Sequence, residues 1–182
     1  MTIEELNKLG EQIEQTLKLR TMPIAVKMLK SEEEIPEDAL RPKRDKGYHL
    51  AQCQAFALSR RQGFTVAKLK EDHWCFAALL VYGLVERDPD DEFLNRFASF
   101  PSFEFGKYIG VLSAPLKKAT FQPDVVMVYA EPAQVRQMLM WVKFSEPGIH
   151  VTSEFDPIDS CSYSIVPVME TGEYRITFPD PG

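Results

Sequence analysis

Apolar residues recur at Ile3, Leu6, Leu9, Ile13 and Leu17, behind a Thr2 and Glu5 pair with capping-box spacing, and predict an amphipathic helix over residues 2–18. The pattern then changes period. After Thr21-Met22-Pro23 the short β-branched run IAVKML predicts a buried strand at 24–29, closed by the acidic loop SEEEIPED, with Lys27 inside the strand. Residues 49–61, HLAQCQAFALSRR, contain no Gly or Pro and precede Gly63, so they predict a second helix with arginines in its last turn. WCFAALLVYGL, at 74–84, is apolar on every face and predicts a buried helix, and DEFLNRFASF a short one behind the turn at 88–91.

Strand character returns in KYIGVLSAPL (107–116) and DVVMVYA (124–130), which are expected to pair with each other in a central sheet. PAQVRQMLMWV (132–142) opens with proline and carries helical spacing; its Met138, Met140 and Trp141 read as core or interface. HVTSEF and YRITF predict late strands, and CSYSIVPVM either a short helix or a strand. The expected fold is α/β, with α+β as the other option. It is a single domain over residues 1–182, built on a central mixed sheet of about five strands flanked by helices.

Charge narrows the function classes. With 27 acidic against 21 basic residues and a net charge of -6, the chain lacks the basic face that a nucleic-acid backbone requires. No stretch is apolar enough to span a membrane, and the acidic, amphipathic N-terminus does not have the form of a secretory signal, so a soluble cytoplasmic protein is expected. Basic residues gather at Arg41, Lys43, Arg44 and Lys46 and at Arg60, Arg61, Lys68 and Lys70; a solvated surface is the expected setting, with an anion site as the alternative. There is no glycine-rich phosphate loop.

The chemistry rests on Cys53, Cys75 and Cys161. Three thiols with no C-x-x-C spacing do not make a disulfide framework, so reduced cysteines are expected. His49 and Cys53 lie four apart on the predicted helix and would share a face, and His73 stands two residues before Cys75, so His49, Cys53, His73 and Cys75 are candidate ligands of a tetrahedral metal such as zinc. On spacing alone, buried packing thiols are favoured over ligands. No orienting acid accompanies the cysteines, and no catalytic residue is assigned.

PIAVKML at 23–29, CQAFALSRRQG at 53–63, Cys75 opening an apolar helix, GKYIGVLSAPL at 106–116, PDVVMVYAEPAQV at 123–135 and Cys161 together resemble the family called domain of unknown function 169. That resemblance implies cysteines at the positions of Cys53, Cys75 and Cys161, in proteins of anaerobic bacteria and archaea. Three cysteines from separate elements can hold three irons of a [4Fe–4S] cluster, leaving the fourth to another residue, water or a substrate. It also implies a further cysteine near ITFPDPG and a longer C-terminal region, where this chain has Asp180 and ends at Gly182. The expectation is a domain without the usual C-terminal extension.

The leading expectation is therefore an iron–sulfur cluster or metal held by Cys53, Cys75 and Cys161, with His49 or His73 as fourth-ligand candidate, serving electron transfer or small-ligand binding. The expected partners are a redox protein or a small anionic ligand near Lys27, Lys46, Arg60 and Arg61, with self-association allowed. The alternative is a non-enzymatic ligand-binding or assembly protein whose cysteines only pack, with no cofactor.

Overall fold

In a computed structural model the described residues are 1–155 and 160–178. Helix α1 (Ile3–Leu17) starts on the predicted capping box: Thr2 Oγ1 accepts from Glu5 N at 3.2 Å, and Glu5 Oε2 accepts from Thr2 N at 2.8 Å. Strand β1 (Ile24–Leu29) has the predicted bounds. Then follow α2 (Pro42–Lys46), α3 (Gln52–Ala57), a π-helical turn at Leu58–Gln62, β2 (Val66–Leu69), α4 (Phe76–Val81) and α5 (Glu92–Asn95). The C-terminal half holds β3 (Gly110–Pro115), β4 (Val125–Met127), α6 (Pro132–Ser145), β5 (Thr152–Glu154), α7 (Val166–Thr171) and β6 (Arg175–Thr177).

The expected five-stranded mixed sheet is corrected. Four strands form an antiparallel sheet in the order β2-β3-β1-β4, and β5 and β6 pair separately in parallel. Helices beside an antiparallel sheet are an α+β organisation. The expected partnership of β3 with β4 is replaced, because β1 stands between them. The reason is burial: five of the six β1 residues are buried, which demands a neighbour on both edges and cover on both faces, whereas β4 is short and leaves Val126 exposed, as suits an edge. Strand β2 escaped prediction because VAKL is brief and carries a lysine.

Alternation along β1 divides the interior. Ile24, Val26 and Met28 face a core completed by Ala78 and Val81 of α4, by Tyr82 just after it, and by Cys161, Ile165 and Val166. Ala25 and Leu29 face a second cluster with Leu112, Ala114 and Leu116. Helix α6 buries none of its residues: Met140 and Trp141 are exposed, which corrects the core reading of that segment. Among the described residues no helix is long and apolar enough to cross a membrane.

Candidate functional site

Two of the three cysteines are brought together by backbone pairing. Leu50 and His73 form an isolated parallel bridge, in which Leu50 N donates to Asp72 O at 3.1 Å and Trp74 N to Leu50 O at 3.3 Å. Gln54 reinforces it, its Oε1 accepting from Ala51 N at 2.8 Å and from Trp74 Nε1 at 3.2 Å. Cys53, in the first turn of α3, and Cys75, the residue that caps α4, thereby start from adjoining segments. The turn before α4 is fixed from below by Asp72, which is inaccessible to solvent and accepts from Arg41 Nε at 2.7 Å, Lys43 N at 2.9 Å and Leu69 N at 2.9 Å.

Cys161 arrives from the opposite end of the chain. It is buried in the turn ahead of α7, beside Ser162, whose Oγ donates to Pro101 O at 2.6 Å. Burial pushes the Cys161 thiol up to about 12, with the negative charge of Cys75 and then of Cys53 adding to the shift. Cys53 is likewise raised, by burial first and by Cys75 in the same sense, against the Gln54 N–H, which favours the thiolate. Cys161 thus feels the charges of both other cysteines, and Cys53 that of Cys75. All three remain unpaired, Cys53 and Cys75 half-buried.

A residue missed at the sequence level completes the group. Lys68, expected on a solvated surface, is wholly buried in β2, and its ammonium donates to Leu50 O at 2.5 Å and to His73 Nδ1 at 3.1 Å. Burial lowers its pKa to about 8, opposed by Cys161, Asp72, Cys75 and Cys53, all of which favour the cation. Arg41 is the other basic residue whose surface expectation fails, being buried against Asp72. Their sequence signal is weak: a lysine in a four-residue apolar run and an arginine before a proline.

The histidines behave differently from expectation. His49 is exposed in the loop ahead of α3, which begins only at Gln52, so it does not share a helical face with Cys53; the Leu50 bridge has drawn that segment out of helical geometry. His73 is buried, and burial together with the Lys68 charge lowers its pKa to about 2. Since the Lys68 ammonium must donate to Nδ1, the neutral ring carries its proton on Nε2, and that buried atom has no partner. His73 therefore offers a proton toward its surroundings rather than a metal-binding lone pair. Lys27 is spoken for by Glu34 at 3.2 Å, and Lys46 is exposed. Asp180, where the resemblance implies a further cysteine, lies outside the described residues.

A cleft of about 450 Å³ borders this region, lined among others by Arg20, Arg60, Arg61, Tyr129, Glu131 and Gln134. Tyr129 connects the two places. Its ring carries the Arg60 guanidinium 4.3 Å from its centroid, while burial raises its hydroxyl to about 12, an effect to which the charges of Cys161 and Cys53 add. Arg60 and Arg61, read from the sequence as anion-site candidates, do share one cavity.

Among the described residues no three His, Cys, Asp or Glu side chains gather closely enough to hold one metal ion. Tyr82, wholly buried, aims its hydroxyl at the Cys161 thiol without reaching full hydrogen-bond geometry, so it joins His73 Nε2 as a buried polar group awaiting a partner. Burial raises both the Cys53 and the Cys161 thiols, and a thiol must lose its proton to bind a metal.

A family model described as domain of unknown function 169, uncharacterised ArCR, matches residues 12–182. No curated protein and no solved structure matches the chain.

Proposed function

We propose that this chain, which belongs to the uncharacterised family domain of unknown function 169, holds an iron–sulfur cluster through Cys53, Cys75 and Cys161 and serves electron transfer or the binding of a small ligand. What supports this reading is that Cys53 and Cys75 start from segments joined by the Leu50–His73 bridge, and that the charges of both reach the buried Cys161 thiol and the buried Lys68 ammonium. When bound, a [4Fe–4S] cluster supplies a one-electron couple and, with three cysteines, one iron open to another ligand. Around it the chain's own residues do the rest. Lys68 offsets thiolate charge from its buried position, and the Tyr82 hydroxyl lies toward the Cys161 thiol and can donate to sulfur, both of which raise the reduction potential of such a centre. Neither histidine supplies the fourth ligand in this arrangement, which leaves that position to an exogenous group.

The test is the absorption spectrum, iron and acid-labile sulfide of protein purified without oxygen, for the wild type and for Cys53→Ser, Cys75→Ser and Cys161→Ser. A broad band near about 400 nm with iron and sulfide, lost in each variant, is expected. Protein that stays colourless and metal-free after anaerobic reconstitution would overturn the reading. It would favour the alternative of packing thiols in a protein whose function lies in its cleft.

A further inference from the structure

The cleft is built for negative charge. Arg20, Arg60 and Arg61 face it with one carboxylate between them, and that carboxylate, Glu131, is already paired with Arg20 at 2.7 Å. Among the described residues Arg60 and Arg61 make no ion pair, and the Arg60 Nε is shielded from solvent with no acceptor, although a guanidinium is among the most demanding donors in a protein. The contact with the Tyr129 ring holds the Arg60 guanidinium over the ring and leaves its Nε without an acceptor. Arg61 adds repulsion to the burial that already lowers the Arg60 pKa. Two adjacent guanidiniums with no carboxylate of their own among the described residues repel each other, and an anion relieves that repulsion.

The backbone beneath them is unusual in the same place. Arg60 and Arg61 sit on the π-helical turn, whose Ser59 is anchored to Ser113 by a 2.9 Å hydroxyl contact and whose end is set by Gly63 at φ +80°. Such turns are uncommon and recur at functional sites. The cavity volume suits a molecule of metabolite size rather than a lone inorganic ion.

We propose that this cleft binds a small organic oxyanion, a carboxylate or a phosphate ester, with Arg60 and Arg61 as its principal donors and Tyr129 as the wall it shares with the cysteine site. The inference stands apart from the cluster, because guanidiniums respond to charge whatever the cysteines hold.

The test is calorimetric titration of the full chain, purified without oxygen, with malonate and with inorganic phosphate at low ionic strength. Saturable binding of either probe at one site per chain is expected, with malonate marking a carboxylate preference and phosphate a phosphoester preference. Arg61→Gln, at an exposed position that should not disturb folding, and Arg60→Lys, which keeps the charge but loses the planar fork, should each weaken it about 10–100-fold. Lys8→Gln, on the exposed face of α1 and away from the cleft, removes the same charge and should leave affinity within about twofold. Absence of saturable binding for both probes, or equal weakening by Lys8→Gln and Arg61→Gln, would overturn the proposal.

Discussion

Replacing Asp72 by Asn tests whether the turn ahead of Cys75 is held by charge or merely by shape. The carboxylate is inaccessible to solvent and takes three donors: Arg41 Nε and Leu69 N on Oδ2, and Lys43 N on Oδ1. An amide of the same volume can accept on one side only. Its NH2 must face a donor on the other, and Arg41, itself buried, is left with Glu71 alone. Breaking a buried ion pair by removing one partner costs about 3–5 kcal/mol, and the surviving Glu71 contact places the expected loss near the lower end, at about 3 kcal/mol. With a urea dependence of about 2–3 kcal/mol per molar, the unfolding midpoint should fall by about 1–1.5 M, measured by far-ultraviolet circular dichroism on metal-free protein. Arg41→Met in the Asp72→Asn background should then cost less than it does in the wild type, with a coupling of at least about 1 kcal/mol. A loss below about 1 kcal/mol for Asp72→Asn, or additive effects in the double variant, would refute the argument.

Lys68 gives a prediction in pH. Its folded pKa of about 8 lies below the ordinary 10.5, so below pH 8 both states carry the proton and burial of the cation costs stability in full. As pH rises from 8 to 10.5 the unfolded chain holds more protons than the folded one, and that cost is relieved. The stability of the metal-free wild type relative to Lys68→Met should therefore climb by about 3 kcal/mol across that window, and a flat difference would sink the idea. At Gly83, where φ is +66° and an added Cβ would lie 2.4 Å from Glu104 O, Gly83→Ala should cost about 2–4 kcal/mol in the same urea assay, whereas a loss under about 1 kcal/mol would show that the loop yields.

What was legible in the sequence is what local rules decide. The capping box of α1, the bounds of β1 and the position of Cys75 at the head of an apolar helix follow from side-chain pattern alone, and so does the adjacency of Arg60 and Arg61 before a terminating glycine. The rest depends on contacts distant in sequence. Nothing local distinguishes Lys68 from a surface lysine, because its burial is imposed by β3 on one side and by the Leu50 bridge on the other. That bridge also undid the His49 and Cys53 pairing, since a residue drawn into an extended contact cannot also begin a helix. The insertion of β1 between β3 and β4 was hidden for the same reason, as strand order is set by which strand needs cover on both edges rather than by neighbourhood in the chain.

The π-helical turn at Leu58–Gln62 means that the direction of the two arginines is a matter of helical phase. Such a turn amounts to one residue more than the α-helical count, and each residue of an α-helix turns the chain by about 100°. Excising Leu58 from the turn would let the segment relax into a continuous helix and swing Arg60 and Arg61 away from the cleft, with the charge of the chain unchanged. The site can thus be switched by length alone, and a shortened chain would keep its surface electrostatics while losing its aim.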